Sequence, residues 1–344
     1  VVNSFGGPEA VEVVETEVPR PGARQVRIKV AAASLNPVDA GVRAGVFGGA
    51  GERIGLGWDV AGTVDAVGAV DVAGAVDAVD AAGAAGAAGA WSVGDEVVAL
   101  HYGAVKPLGT HAEYVVVDAD AVAPAPATVD AVHAATLPLN ALTAAQALDR
   151  LEPAPGRSSL LVTGAAGAVG GYAVRLAAQR GIAVTGLARE GDEEFVRSLG
   201  ARHVTSDAVA DREFDAVLDA AVLGEPALAW VRDGGRYIGV IPHAEPASVR
   251  GVETGAVEVS ADGTRLAELV RLLDEGVLTT RVAETYALED AAKAHARLDE
   301  GGVRGHLVLV PGGARSSGAR ALTVGGHRGW MRAACPGPRA GGGE

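Results

Sequence analysis

Between Leu160 and Ala177 the chain passes from an apolar run, Leu160-Leu161-Val162-Thr163, through glycines at 164, 167 and 170 into an alanine-rich segment. The apolar positions Val169, Ala173, Leu176 and Ala177 fall near helical spacing, so the stretch predicts strand, tight loop, helix. Gly164, Gly167 and Gly170 let backbone approach a ligand without Cβ interference. The free N–H groups and the positive end of the helix then attract negative charge. Strand, glycine loop and helix in this order make the first turn of a dinucleotide site, with the loop as cradle for a pyrophosphate. An ordinary tight strand-to-helix turn is the alternative, in a chain with 49 glycines.

A second strand, Ile182 to Ala188, ends at Arg189, nineteen residues past Gly170. A site for NAD usually places a carboxylate there for the ribose hydroxyls. A guanidinium suits a 2′-phosphate instead, which favours NADPH. The competing reading of Arg189 is a solvated surface residue beside Glu190.

The 344 residues allow about two domains with real cores. At 49% apolar and 21% charged the composition is that of a globular protein. A formal charge of −14 speaks against nucleic-acid or anionic-membrane surfaces and for small-molecule partners. The single cysteine, Cys335, excludes an intrachain disulfide and a multi-cysteine zinc lobe. The uncharged run Ala131 to Leu148 contains His133, Pro138, Asn140 and Gln146, and reads as buried helical protein. Val1-Val2-Asn3 opens no basic-then-apolar leader, so the expected location is the cytoplasm.

Taken in order, residues 1–124 read as short strands and turns: Val11–Val14, Gln25–Val30, Asp59–Val67, Gly94–Leu100 and Thr110–Val117. Within them, 68–91 is a low-complexity Ala/Val/Gly/Asp insert, expected as an enlarged surface loop. From 125 to 250 strands alternate with helices. Glu193–Gly200 is a helix with a glycine stop, and His203–Thr205, Phe214–Asp219 and Gly235–Ile241 are further strands. That alternation predicts an α/β fold with a doubly wound parallel sheet of Rossmann type. Residues 251–311 add a strand, an amphipathic helix near Thr264–Glu275, a helix begun by Leu288-Glu289-Asp290, and the strand Leu307–Val310. The Gly/Arg/Ser-rich stretch 312–344 is expected to be a disordered tail.

Several motifs together resemble the medium-chain dehydrogenase/reductase superfamily, and within it the zinc-free quinone oxidoreductase branch typified by zeta-crystallin. They are Ala33-Ser34-Leu35-Asn36-Pro37-Val38-Asp39 with Arg43-Ala44-Gly45, Gly57-Trp58-Asp59-Val60-Ala61-Gly62, Val93–Val97, Leu137–Thr143, the 164–170 loop, and Arg304-Gly305. The resemblance implies a GroES-like β-rich catalytic domain from 1–124 and 251–311, and a nucleotide domain from 125–250. It implies a homodimer joined at the edge of the nucleotide sheet. It implies no catalytic metal, since Asn36, Trp58 and Leu139 stand where zinc-using relatives carry Cys, His and Cys. His101, His111, His133 and His243 are scattered without ligand spacing and read as structural.

By the same resemblance Asn36 lies beside the nicotinamide ribose and substrate, Asp39 orients its loop, and Thr143 is at the nicotinamide. The backbone of Ala168, Val169, Gly239, Val240 and Ile241, together with Arg304, would line the cofactor. For Asn36 an Asn-Pro turn capped by its own side chain stays open, and for Thr143 a helix-starting hydroxyl. Gly41 and Phe47 occupy positions where related reductases carry tyrosines, so no side-chain proton donor is assigned; Tyr102 and Tyr237 are conceivable. The implied activity is hydride transfer from NADPH to a quinone or α,β-unsaturated carbonyl. An enoyl or keto reductase of a biosynthetic intermediate, and a non-catalytic NADPH-binding sensor or structural protein, are the alternatives.

Overall fold

Alternating apolar and polar residues make the first half of β1 (Gln25–Leu35) two-faced: Val26, Ile28 and Val30 are buried while Lys29 faces out. From Ala32 to Leu35 every residue is buried, because here the strand runs under other parts of the chain. The computed structural model describes residues 1–49, 53–68, 90–153, 156 and 158–312. The insert expected over 68–91 and the tail expected over 312–344 fall, apart from their bordering residues, outside them. The two flanks of the insert are anchored: the Gly68 N–H donates to the Gln25 carbonyl (2.9 Å) and the Trp91 indole to the Ala119 carbonyl (3.0 Å).

β1 is followed by α1 (Pro37–Arg43), β2 (Asp59–Val67), β3 (Glu96–Leu100), β4 (Tyr114–Asp118) and β5 (Val122–Pro124). β1 pairs antiparallel with β2 and β4, and β3 joins β2 to β5. Their inner faces close a core of Val26, Ile28, Val60, Val64, Val97, Val115 and Val117. Val11–Val14 does not form the expected strand: Val11 makes an isolated bridge with Val2, and no neighbouring strand covers the rest, leaving Val13 54% exposed.

After the short α2 (Ala131–Ala134) and the long α3 (Pro138–Leu151), the parallel sheet begins. It comprises β6 (Ser159–Thr163), β7 (Ala183–Leu187), β8 (Arg202–Val204), β9 (Phe214–Asp219), β10 (Val231–Gly239) and β11 (Glu253–Ala256). Their order across the sheet is β11-β10-β9-β6-β7-β8, all parallel, with α4 (Ala168–Gln179), α5 (Glu193–Ser198) and α6 (Glu225–Leu228) in the crossovers. Strand order reverses between β6 and β9. The crevice beyond their carboxyl ends is where such sheets bind nucleotides, and the glycine loop leaves β6 at that point.

Two boundaries differ from the sequence reading. Glu253–Ala256, expected in the return segment, pairs with Arg236–Gly239 and extends the nucleotide sheet past residue 250. The strand expected at 235–241 is shifted to Val231–Gly239, so Val240 and Ile241 lie beyond its end. Only after α7 (Gly263–Asp274) does the chain return, through β12 (Val282–Ala287), α8 (Ala291–Asp299) and β13 (His306–Val310). β13 pairs antiparallel with the buried end of β1 in the register Leu35↔Leu307. Residues Val1–Pro311 thus form one compact unit.

At the crevice the sheet is tied by Asp219, fully buried at the end of β9. Its carboxylate accepts from the Thr163 hydroxyl (2.6 Å), the Tyr237 hydroxyl (2.7 Å) and the Gly224 N–H (2.8 Å), joining β6, β9, β10 and the loop before α6. Replacing Asp219 with Ala leaves buried donors without an acceptor. We expect a loss of about 2–4 kcal/mol of unfolding free energy in urea titrations, with Asp219→Asn intermediate.

Candidate active site

The loop between β1 and α1 is built on Asn36. Pro37 fixes the first helical position, and the Asp39 carboxylate accepts the Asn36 backbone N–H (2.9 Å) and the Gly57 N–H (2.8 Å), so one side chain holds two loops in register. The Asn36 side chain is directed at residues distant in sequence. Its Nδ2 donates to Asp59 Oδ2 (2.7 Å), and its Oδ1 accepts from Asn140 Nδ2 (2.8 Å).

Asp59 opens β2 and lies at the start of α3, where its Oδ1 accepts the Leu139 N–H (2.6 Å). A carboxylate at a helix N-terminus is favourably placed. Even so, complete burial outweighs the hydrogen bonds from Leu139 and Asn36 and pushes the Asp59 carboxyl up to about 7, with Asp39 acting in the same direction. Lys106, 8% exposed, opposes this. Its Nζ donates to the His101 carbonyl (2.6 Å) and lies 4.8 Å from the centroid of the Trp58 ring. Burial lowers its own pKa to about 8.

The register Leu35↔Leu307, continued by one residue, sets His306 across from Asn36. Asn140 bridges them, its Nδ2 also lying 3.1 Å from His306 Nε2. On the other wall, Trp58 meets Tyr102 edge-on (5.3 Å between centroids), and the Tyr102 hydroxyl donates to Glu258 Oε1 (3.1 Å). That bond ties the loop after β3 to the segment after β11. Beside it opens a cavity of about 490 Å³ lined by His101, Tyr102, Arg150, Glu258 and Ser260. Tyr237 is elsewhere, its hydroxyl committed to Asp219. Thr143 sits one turn into α3, its hydroxyl donating to the Leu139 carbonyl (2.7 Å), which leaves its oxygen able to accept.

The glycine loop has the shape its sequence requires. Gly164 adopts φ +61°, and a Cβ on Gly170 would collide with the Gly164 carbonyl. Gly167 caps α4, so the amides of Ala168, Val169 and Gly170 begin the helix without an intrahelical partner. Against this loop lies a small recess also lined by Arg175, Arg281 and His306. The Arg281 guanidinium stacks 4.0 Å from the Phe195 ring centroid and reaches 3.5 Å from the Ala166 carbonyl. Arg304 pairs with Asp192 (2.9 Å), in the turn that Arg189 opens. Arg189 itself is exposed, without a side-chain partner among the described residues. Gly239 ends β10, and Ile241 is 44% exposed beyond it. An unpartnered helix start, glycines at 164 and 170 that leave no place for a Cβ, and the Arg281 guanidinium fit the phosphates of a dinucleotide.

The structure thus divides the expected residues into two groups. Asn36, Asp39 and Thr143 are on one wall; Gly164, Gly167, Ala168, Val169 and Gly170 form the glycine loop and helix start, while Arg189 and Arg304 flank the turn after β7 and Gly239, Val240 and Ile241 lie at or beyond the end of β10, in neither group. Asp59, Asn140, His306, Lys106 and Arg281 were not singled out from sequence. Asn140 had a signal, an amide inside an uncharged helical run, and so had Asp59, a carboxylate opening an apolar strand. His306 and Arg281 reach the site only through the pairing of β13. Among the described residues no group of three or more His, Cys, Asp or Glu is placed to hold a metal ion. No helix there is long and apolar enough to cross a membrane.

Two family descriptions match the chain: an alcohol dehydrogenase GroES-like domain over residues 22–127 and a zinc-binding dehydrogenase over 191–309. A chloroplast envelope quinone oxidoreductase homolog of Arabidopsis thaliana is 30% identical, over 90% of this chain and 97% of its own length. An NADPH-dependent alkenal/one oxidoreductase of the same plant is also 30% identical, over 90% of this chain and 78% of its own. The solved quinone oxidoreductase from Coxiella burnetii superposes with a TM-score of 0.72 at 25% identity, covering 90% of this chain and 97% of that one.

A carboxyl raised from its ordinary value near 3.8 to about 7 binds a proton in the folded state that the unfolded chain has released. Its contribution to stability is complete below pH 3.8 and is lost as pH rises through 7. Unfolding free energies of Asp59→Asn should fall less steeply over that window than those of the parent chain, in urea titrations at closely spaced pH.

Proposed function

From the premise that this chain belongs to the medium-chain dehydrogenase/reductase superfamily, with quinone oxidoreductases among its relatives, we propose a specific activity. It is an NADPH-dependent reductase of quinones or α,β-unsaturated carbonyls that works without a catalytic metal. The observation carrying this reading is the make-up of the wall beside Asn36. By the resemblance, Asn36, Trp58 and Leu139 match the positions where zinc-using members hold the ion, and an amide, an indole and an alkyl chain offer zinc no thiolate, imidazole or carboxylate. Without a Lewis acid, oxidation of a simple alcohol to a carbonyl is poorly supported. Reduction of a quinone or activated C=C spreads the new charge over a conjugated oxygen and needs less help.

The dinucleotide is held by the amides of Ala168, Val169 and Gly170, with Arg281 and Arg304 beside its phosphates. Arg189, at the end of β7, receives the 2′-phosphate, and a relative described as NADPH-dependent supports this choice. When bound, the cofactor supplies hydride to the electrophilic carbon. The chain supplies position and dryness. One N–H of Asn36 is spent on Asp59, leaving the second to donate to a ribose or substrate oxygen. Trp58 and Tyr102 wall off the acceptor, and solvent delivers the proton.

The test is oxidation of NADPH by a panel of quinones and enones, followed at the cofactor's absorbance. Turnover should persist after exhaustive chelation; its loss on chelation and return with zinc would refute metal independence. Arg189→Ala should raise KM for NADPH about tenfold, equivalent to ~1.4 kcal/mol, with KM for NADH nearly unchanged. An equal effect on both cofactors would remove Arg189 from the 2′-phosphate.

A further inference from the structure

Asn36 does not stand alone, and its neighbours form a directed chain of hydrogen bonds. At one end the Arg281 carbonyl, which can only accept, lies 3.1 Å from His306 Nδ1. That nitrogen must therefore carry the proton, and in a neutral ring Nε2 is then a lone pair. Burial keeps the ring neutral, lowering its pKa to about 4. The Nε2 lone pair faces Asn140 Nδ2 at 3.1 Å, and the other N–H of that amide goes to Asn36 Oδ1 at 2.8 Å. Asn36 Nδ2 then donates to Asp59. Each group's orientation is set by the one before it.

We propose that His306, acting through Asn140, is a positioning residue that fixes which end of the Asn36 amide faces Asp59 and which N–H is left for cofactor and substrate. The flipped alternative is ruled out by His306. Turning Asn140 over would set its carbonyl oxygen against the Nε2 lone pair, two acceptors at hydrogen-bond distance with no proton between them. With Asn140 held, Asn36 cannot turn over without bringing two amide N–H groups together. A backbone carbonyl of the return segment thereby orients an amide at the end of the neighbouring strand. The catalytic consequence rests on the reductase reading; the orientation of the chain does not.

Two arms test the proposal. In the first, the unliganded protein is labelled with 15N-histidine, the His306 signals being those lost in His306→Gln. They should report a neutral ring protonated at Nδ1 near pH 7. In Asn140→Asp a carboxylate replaces the donor, and the ring should take up a second proton at Nε2. A ring protonated at Nε2 in the parent, or one indifferent to Asn140→Asp, would overturn the proposal. In the second arm, His306→Gln keeps an acceptor for Asn140 and should retain kcat within about threefold. His306→Phe fills the space without one and should lose on the order of tenfold or more in kcat, with KM for NADPH little changed. Equal kcat in both variants would also overturn it. Should His306→Phe fail to fold, the Gln variant and the labelled parent still decide. A parent chain inactive toward every acceptor, but with the expected 15N signature, would refute the reductase reading and leave the positioning role standing.

Discussion

A fully buried carboxylate holds the wall beside Asn36 together. Asp59 collects the Asn36 side chain at 2.7 Å and the Leu139 amide at 2.6 Å, so the β1–α1 loop, the start of β2 and the start of α3 converge on one group. Burying an unpaired carboxylate costs several kcal/mol, and two short hydrogen bonds with a helix N-terminus offset part of it. The remainder appears as the raised pKa. Asp39, also fully buried, works beside it on backbone N–H groups alone. Two acids in one interior call for a cation, and Lys106 supplies it from behind Trp58.

The nucleotide sheet uses the same device. Asp219 ends β9 as Asp59 begins β2, each a fully buried acid gathering donors from elements that have no covalent reason to meet. The difference lies in their neighbours. Asp219 is matched by hydroxyls and an amide that stay with it, and it fixes the loops on which a dinucleotide would rest. Asp59 is matched by an amide that still has an N–H to offer. One carboxylate braces a framework; the other holds a group that faces outward.

Much of this was legible in the residues because local chemistry fixed it. The loop from Gly164 to Gly170 needs a positive φ and a missing Cβ, requirements that glycine announces. The β6–β9 strands are short apolar runs between turn signals, and their positions held to within a residue or two. Val11–Val14 failed because strand propensity without a neighbouring strand leaves side chains in solvent. The placement of 253–256 could not be read, since four residues carry no mark of which sheet will accept them. Asn36 was visible through its motif, but its partners were not. Asn140 is 104 residues away and His306 a further 166; the start of α3 docking on Asp59 brings in the first and the antiparallel register of β1 and β13 the second.

Charge distribution adds a last constraint. The chain carries −14 overall, so at long range it repels a coenzyme bearing phosphates. Yet Arg281 lies against the glycine loop that starts α4, within 3.5 Å of the Ala166 carbonyl, and Arg304 is already balanced by Asp192. At physiological ionic strength the screening length is about 8 Å, shorter than the distance over which the whole-chain charge could steer a ligand. Association is then decided at contact, by helix amides and guanidinium groups that act within a few ångströms and are desolvated as the ligand arrives.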